Sequence, residues 1–116
     1  AIDRVFYPGL ESHAGHGIAV RQMRGFGGMM SFTLKGNSFD TVRQFLPRLH
    51  LAHKAANLGA VETIAGVPAT TSHVECSAEE RKALGIPESL VRYSVGIEDT
   101  RDLIEDLGQA LDGLGF

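Results

Sequence analysis

One stretch near the end of the chain places a residue where it could do chemistry. Residues Leu90 to Leu107 read LVRYSVGIEDTRDLIEDL. Val91, Tyr93, Val95 and Ile97 alternate with Arg92, Ser94, Gly96 and Glu98, the period of a strand with one apolar and one polar row. Arg92 stands in the middle of the polar row. A guanidinium grips a carboxylate through two parallel hydrogen bonds, which suits an amino-acid or keto-acid ligand. The plain alternative is a solvated strand arginine paired with a surface acid, an arrangement worth little.

Other reactive side chains make weaker cases. His13 and His16, His50 and His53, and His73 and Cys76 are each three apart, a spacing that shares a metal when it falls on a helix. No pair has an acidic third ligand at matching spacing, so ordinary polar histidines and no metal are expected. The lysines are Lys35, Lys54 and Lys82. A lysine that forms a Schiff base needs a desolvated pocket. Lys35 lies directly before Gly36, and Lys82 stands beside Glu79, Glu80 and Arg81, so none is expected to serve. The glycines of GFGG precede a strand rather than a helix and do not make a phosphate loop. No catalytic residue is assigned.

The elements that must position Arg92 follow from periodicity. The spacing predicts a strand from Met29 to Leu34, bounded by glycines, with Gly27 and Gly28 marking a close approach of backbone. Phe39, Val42, Phe45, Leu46 and Leu49 form one helical face in SFDTVRQFLPRLH, which Pro47 should stop or bend. Pro8 and Gly9 form a turn, after which Ser12 is expected to cap a helix over HAGHGIAVRQM. LAHKAANLGAVETIAGVP reads as two short extended pieces around a turn at Gly59. In CSAEERKALGIP, Ser77 and Glu80 have capping-box spacing and Gly85 closes a short helix. Asp99 caps the last helix, Asp102 falls in its first turn, and Leu103, Ile104, Leu107, Ala110, Leu111 and Leu114 are its expected buried stripe. The fold class is therefore α+β, a small, mostly antiparallel sheet with helices on one face. Val91, Tyr93 and Val95 should meet the helices, which turns Arg92 to the other face.

Composition bounds the function. The chain has 116 residues, 43% hydrophobic and 22% charged, enough for a single domain over 1–116 with a real core. The net charge of -3 gives no basic footprint for nucleic acid. No apolar run is long enough to suggest a membrane span. The lone cysteine, Cys76, excludes an internal disulfide framework and suits a reducing, cytoplasmic setting. The opening AIDRVFYPGL lacks a methionine and reads as chain already under way. From residues alone, two classes stay open: part of an enzyme that binds an acid, or a free-standing binding or association module.

Four segments narrow that choice: YPGLESHAGH, GFGGMMSFTLKG, NLGAVETIAGVPATTSH and GIPESLVRYSVGIEDTRDLIEDLGQAL. In this order they resemble the C-terminal domain of the pyridoxal-phosphate enzymes of cysteine and methionine metabolism, the group of cystathionine γ-synthase, cystathionine γ-lyase, cystathionine β-lyase and methionine γ-lyase. The resemblance covers essentially the whole chain. It implies a trans-sulfuration enzyme that performs β- or γ-elimination or replacement on sulfur amino acids or activated homoserine. It implies that pyridoxal phosphate and its Schiff-base lysine belong to an N-terminal domain absent from this chain, that this chain alone is inactive, and that the full-length enzyme is a homotetramer. The family's carboxylate-binding arginine lies in the strand that matches LVRYSVGIED, and so carries onto Arg92. Asn57 takes the place of a serine usual before LG that helps at the same carboxylate. Glu62 matches an acid common in the cystathionine enzymes and methionine γ-lyases, and Ser72 keeps a hydroxyl where threonine is usual, with Thr71 where methionine is common. Arg92, Asn57, Glu62 and Ser72 are thus the expected substrate-binding residues. Apart from the resemblance, Asn57 reads as a turn residue before Leu58 and Gly59, and Glu62 as an exposed strand acid.

Overall fold

The structure is a computed structural model that describes residues 1–116. Its five strands are β1 (Ile2–Phe6), β2 (Met29–Leu34), β3 (His53–Lys54), β4 (Ile64–Gly66) and β5 (Leu90–Ser94). Its helices are α1 (His16–Gln22), α2 (Phe39–Phe45), α3 (Ala78–Ala83) and α4 (Thr100–Asp112), with 3-10 turns at Leu46–Arg48 and Pro68–Thr70. The sheet order is β1-β2-β5-β4-β3. Only β3 and β4 pair in parallel, and β5 is the central strand, antiparallel to both neighbours. The α+β expectation holds.

Alternation along β5 sorts the two faces. Val91 and Tyr93 are 0% and 1% exposed and join Phe32, Leu34 and Ala65 in a core closed by Val42 and Phe45 of α2 and Ala110 of α4. Phe32 and Phe45 meet edge to face, ring centroids 5.8 Å apart. Burying side chains of this size contributes about 1.5–3 kcal/mol each. Arg92, flanked by Ser31 on β2 and Gly66 on β4, therefore projects from the opposite face. Tyr93 brings its hydroxyl into the core with no hydrogen-bond partner. Burial, then the charges of Asp106 and Glu98, push its phenol up to about 12.

Local signals formed most elements as read. The strand Met29–Leu34 has the expected bounds, and Gly28 does lie close to backbone: its carbonyl accepts from the Val95 N–H at 2.8 Å. The α2 helix starts at Ser38, whose hydroxyl accepts from the Thr41 N–H, and gives way to a 3-10 turn where Pro47 enters. Ser77 and Glu80 form both halves of a capping box on α3. Gly59 and Gly85 adopt positive φ, at 72° and 77°, and end their segments as turns.

Three expectations need correction. Ser12 does not cap α1. Successive turns run from Tyr7 to His16, the helix begins only at His16, and Gly15 is its N-cap without any side-chain bond. The strand of Arg92 ends at Ser94, because β2 begins at Met29, directly opposite Ser94, and leaves no ladder beyond it. Val95 is consequently exposed rather than packed on the helices, and Ile97 is 84% exposed. Ile104 is 65% exposed and lies off the stripe of α4. Leu103, Asp106 and Ala110 are buried there, with Leu107, Leu111 and Leu114 half-buried, so the three-and-four spacing passes through Asp106 instead.

Asp106 is in the stripe because it closes a turn. Its carboxylate accepts from the backbone N–H of His50 at 2.8 Å, Leu51 at 3.0 Å and Ala52 at 3.5 Å, and from the Gln109 amide at 3.1 Å. These bonds carry the chain from α2 into β3. Burial, the strongest single influence on this group, favours the neutral acid, but the N–H donors together outweigh it and hold the carboxyl below its ordinary value. A depressed folded-state pKa means stability that is fully present above the unfolded value, near 4, and is lost as pH falls through the folded value. Asp106→Asn should therefore lower stability by about 1.5–3 kcal/mol at neutral pH, the scale for hydrogen bonds to a charged group. In urea titrations the gap between wild type and variant should close as pH drops below about 4.

Candidate functional site

The second row of β5, Arg92, Ser94, Gly96 and Glu98, runs along the segment that links β3 to β4. All four residues of the row touch it. One Arg92 guanidinium nitrogen, Nη2, donates to the carbonyls of Ala56 at 2.6 Å and Asn57 at 3.0 Å. The Ser94 hydroxyl accepts from the Gly59 N–H at 3.2 Å. Beyond the strand, the Ile97 N–H donates to the Val61 carbonyl at 2.8 Å. The Gly96 N–H donates to the Thr63 hydroxyl at 2.8 Å, and that hydroxyl donates on to Glu98 at 2.9 Å. The other Glu98 oxygen accepts from the Thr63 N–H at 2.8 Å. A polar row on a strand thus serves as a rail, and residues 56–63 are the loop fastened along it.

The electrostatics follow from these bonds. The Thr63 N–H is the foremost reason the Glu98 carboxyl is held below its ordinary value, against a smaller opposing effect of burial. Thr63 itself is fully buried. Arg92 is half-buried, and the chain's two ion pairs, Arg43 with Asp40 and Arg81 with Glu88, do not involve it. Its charge is oriented by backbone carbonyls and left without a carboxylate. The remaining guanidinium donors, Nε and Nη1, make no hydrogen bond within the chain. A cleft of about 190 Å³ is lined by Lys54, Ala55, Ala56, Gly66, Thr70 and Thr71 among others; Ala56 and Gly66 neighbour Arg92, which does not itself line it. Larger cavities of about 570 and 410 Å³ lie along β1 around Arg4 and Phe6, and Arg92 lines neither.

Of the four expected site residues, the structure brings two into contact. Arg92 binds the Asn57 carbonyl, while the Asn57 side-chain oxygen accepts from the Leu58 N–H at 2.9 Å and its amide nitrogen has no partner in the chain. Glu62 is exposed on the same loop, between the Val61 and Thr63 anchors, and its carboxylate makes no hydrogen bond. Ser72 stands apart from this network. Its hydroxyl bonds to the His73 imidazole at 2.8 Å. Arg81 anchors that turn by donating to the carbonyls of His73 and Cys76 while it pairs with Glu88 at 2.7 Å. The sequence reading passed over Ser94, Thr63 and Glu98. Ser94 and Glu98 were legible as members of the row that holds Arg92. Thr63 gave no signal.

No three histidine, cysteine, aspartate or glutamate residues stand together as a metal site. His13 accepts from the Gly15 N–H, and His16 bonds to the Pro8 carbonyl and stacks on Phe26. No helix is long and apolar enough to cross a membrane.

A mostly antiparallel sheet is thus backed by helices on one face and carries a backbone-anchored arginine on the other. The relatives of the chain give its class. The family model described as Cys/Met metabolism PLP-dependent enzyme matches residues 1–112. A cystathionine gamma-lyase of Dictyostelium discoideum is 50% identical over 111 residues, 96% of this chain and 28% of the relative. An L-methionine gamma-lyase of Fusobacterium nucleatum subsp. polymorphum is 49% identical over the same shares. The crystal structure of cystathionine gamma synthase from Xanthomonas oryzae pv. oryzae in complex with cystathionine superposes with a TM-score of 0.91 at 42% identity, over 98% of this chain and 29% of that one. The chain belongs to the pyridoxal-phosphate-dependent enzymes of cysteine and methionine metabolism. It spans 28% of the length of these curated relatives.

The family implies pyridoxal phosphate, but no lysine of this chain is set to hold it as an imine. Lys35, Lys54 and Lys82 are all exposed, so none has the desolvated setting that an imine-forming lysine requires.

The rail tolerates no side chain at Gly96. A Cβ there would strike the Val61 carbonyl, the Glu62 backbone and the Glu98 carboxylate. Gly96→Ala should cost about 1–3 kcal/mol, the usual penalty for overpacking. Thermal unfolding should show the loss, and amide exchange should rise first at Val61 to Thr63.

Proposed function

We propose that this chain is the substrate-binding C-terminal domain of a pyridoxal-phosphate-dependent trans-sulfuration enzyme, in which Arg92 holds the α-carboxylate of a sulfur amino acid or an activated homoserine. One observation carries the reading. Arg92 projects from the face opposite the helices, is oriented by the Ala56 and Asn57 carbonyls, and has no acidic partner in the chain. An arginine built into a strand and left uncompensated suits an anion that comes from outside. The names of the relatives, a cystathionine gamma-lyase, an L-methionine gamma-lyase and a cystathionine gamma synthase among them, support this substrate class. Because the chain spans only 28% of such relatives, the cofactor, its lysine and the proton transfers are assigned to an N-terminal domain outside this chain. The isolated chain is accordingly inactive.

Arg92 breaks no bond in this scheme. It fixes the carboxylate end of the substrate, and so sets the angle at which the α-hydrogen is presented. Orientation of this kind lowers the barrier by removing rotational freedom before the reaction. Asn57 offers its unpartnered amide beside the same carboxylate. Glu62, exposed on the same loop, is assigned to the part of the substrate beyond it, whereas Ser72 bonds to His73 and gains no support as a carboxylate contact.

In the full-length enzyme, Arg92→Ala should lower kcat/KM by roughly 2–4 kcal/mol, the scale for truncating one partner of a buried charge pair, with KM and kcat both affected. Arg92→Lys keeps the charge but loses the fork, and should stay well below wild type. An unchanged kcat/KM in Arg92→Ala would remove the assignment. Glu62→Ala should alter the ratio of rates among sulfur substrates while leaving the melting temperature nearly unchanged. A large drop in melting temperature with the same ratios would make Glu62 structural instead.

A further inference from the structure

Arg92 alone does not decide where its free donors point. Its Nη2 leans on the carbonyls of Ala56 and Asn57, and those carbonyls are only as fixed as the loop that bears them. The loop has few internal ties. At its far end the strongest set of bonds is to Glu98, where one carboxylate takes both the N–H and the hydroxyl of Thr63, and the same hydroxyl takes the Gly96 N–H. That hydroxyl accepts from one side and donates to the other, which fixes its hydrogen and its rotamer. Hydrogen bonds to a charged acceptor are about twice as strong as neutral ones. Thr63 is 0% exposed, so its side of these bonds is shut off from water, while Glu98 is half-buried.

We propose that Thr63 and Glu98 are positioning residues for carboxylate recognition: their clasp sets the height of the loop 56–63 along β5, and through the Ala56 and Asn57 carbonyls it aims the guanidinium of Arg92. The inference rests on the reading of Arg92 as the carboxylate-binding residue. The clasp touches no substrate itself. Its effect travels through a loop pinned at both ends, by Arg92 and Ser94 at one and by Thr63 at the other. The deepest part of the mechanism is geometric. A misplacement of about 1 Å at a binding group costs as much as roughly 10²-fold in rate, although every charge is kept.

Thr63→Val is the informative change, because valine has the same shape and lacks only the hydroxyl. The full-length protein is titrated calorimetrically with propionate and, separately, with propionamide, which differ in charge and fork geometry at one carbon. Wild type should prefer propionate. Thr63→Val should reduce that preference by about tenfold or more, and Thr63→Ser, which restores the hydroxyl, should bring it back. Glu98→Gln, which keeps one acceptor oxygen, should fall between. If Thr63→Val unfolds, Thr63→Ser and Glu98→Gln still decide the matter through the same preference. A preference unchanged in folded Thr63→Val or Glu98→Gln, or affinity for both ligands reduced equally, overturns the clasp as a positioning device. Arg92→Ala separates the two ideas. If it keeps the preference for propionate, the carboxylate reading itself fails. If it loses the preference while the Thr63 and Glu98 variants retain it, only the clasp fails.

Discussion

The structure depends on β5 meeting two incompatible demands with one alternation. As the central strand it must hydrogen-bond β2 on one edge and β4 on the other, so its backbone is fully committed. Its side chains then have only two directions. Val91 and Tyr93 take the helix-facing direction and join a core that excludes water. Arg92 and Ser94 take the other, and the chain keeps the same row through Gly96 and Glu98 after the ladder has ended. A register slip of one residue would bury the guanidinium and expose the valine and tyrosine, so the apolar core fixes the polar row without touching it.

The loop 56–63 gains its order from that row. Most of its residues are exposed, and by composition it would be mobile. It is instead held by donors and acceptors that alternate in kind: a guanidinium to two carbonyls, a hydroxyl to an N–H, then a carboxylate to a threonine. The arrangement also resolves the isolated charge on Arg92. Carbonyl dipoles orient the cation without neutralising it, which leaves its charge available to a ligand. An aspartate in their place would have made a stable ion pair and a poor binding site. Asp106 performs the matching task on the opposite side of the sheet, where three backbone N–H groups converge on a buried carboxylate and fix the chain entering β3. Two acids of α4 and the turn before it, Asp106 and Glu98, thus fix the chain as it enters β3 and as it enters β4.

Sequence alone determined the elements whose causes are local. The strand Met29–Leu34, the apolar face of α2, the capping box of α3 and the turn at Gly59 follow from period, cap and φ preference, and each stands where it was read. The row containing Arg92 was legible for the same reason, since alternation is a property of consecutive residues. The family was legible in its motifs, and the match over residues 1–112 bears that out. Tertiary structure decided the rest, because it depends on partners distant in the chain. Val95 carries the strand pattern but lies where β2 supplies no partner. Ile104 carries the helix pattern but faces solvent, since the stripe of α4 is set by the N–H groups of residues 50–52 that Asp106 must reach. Thr63 carries no pattern at all, and its role comes from Glu98, thirty-five positions on. A hydrogen bond between such residues has a local cause at neither end. Only the folded sheet, by laying one segment across another, brings its donor to its acceptor.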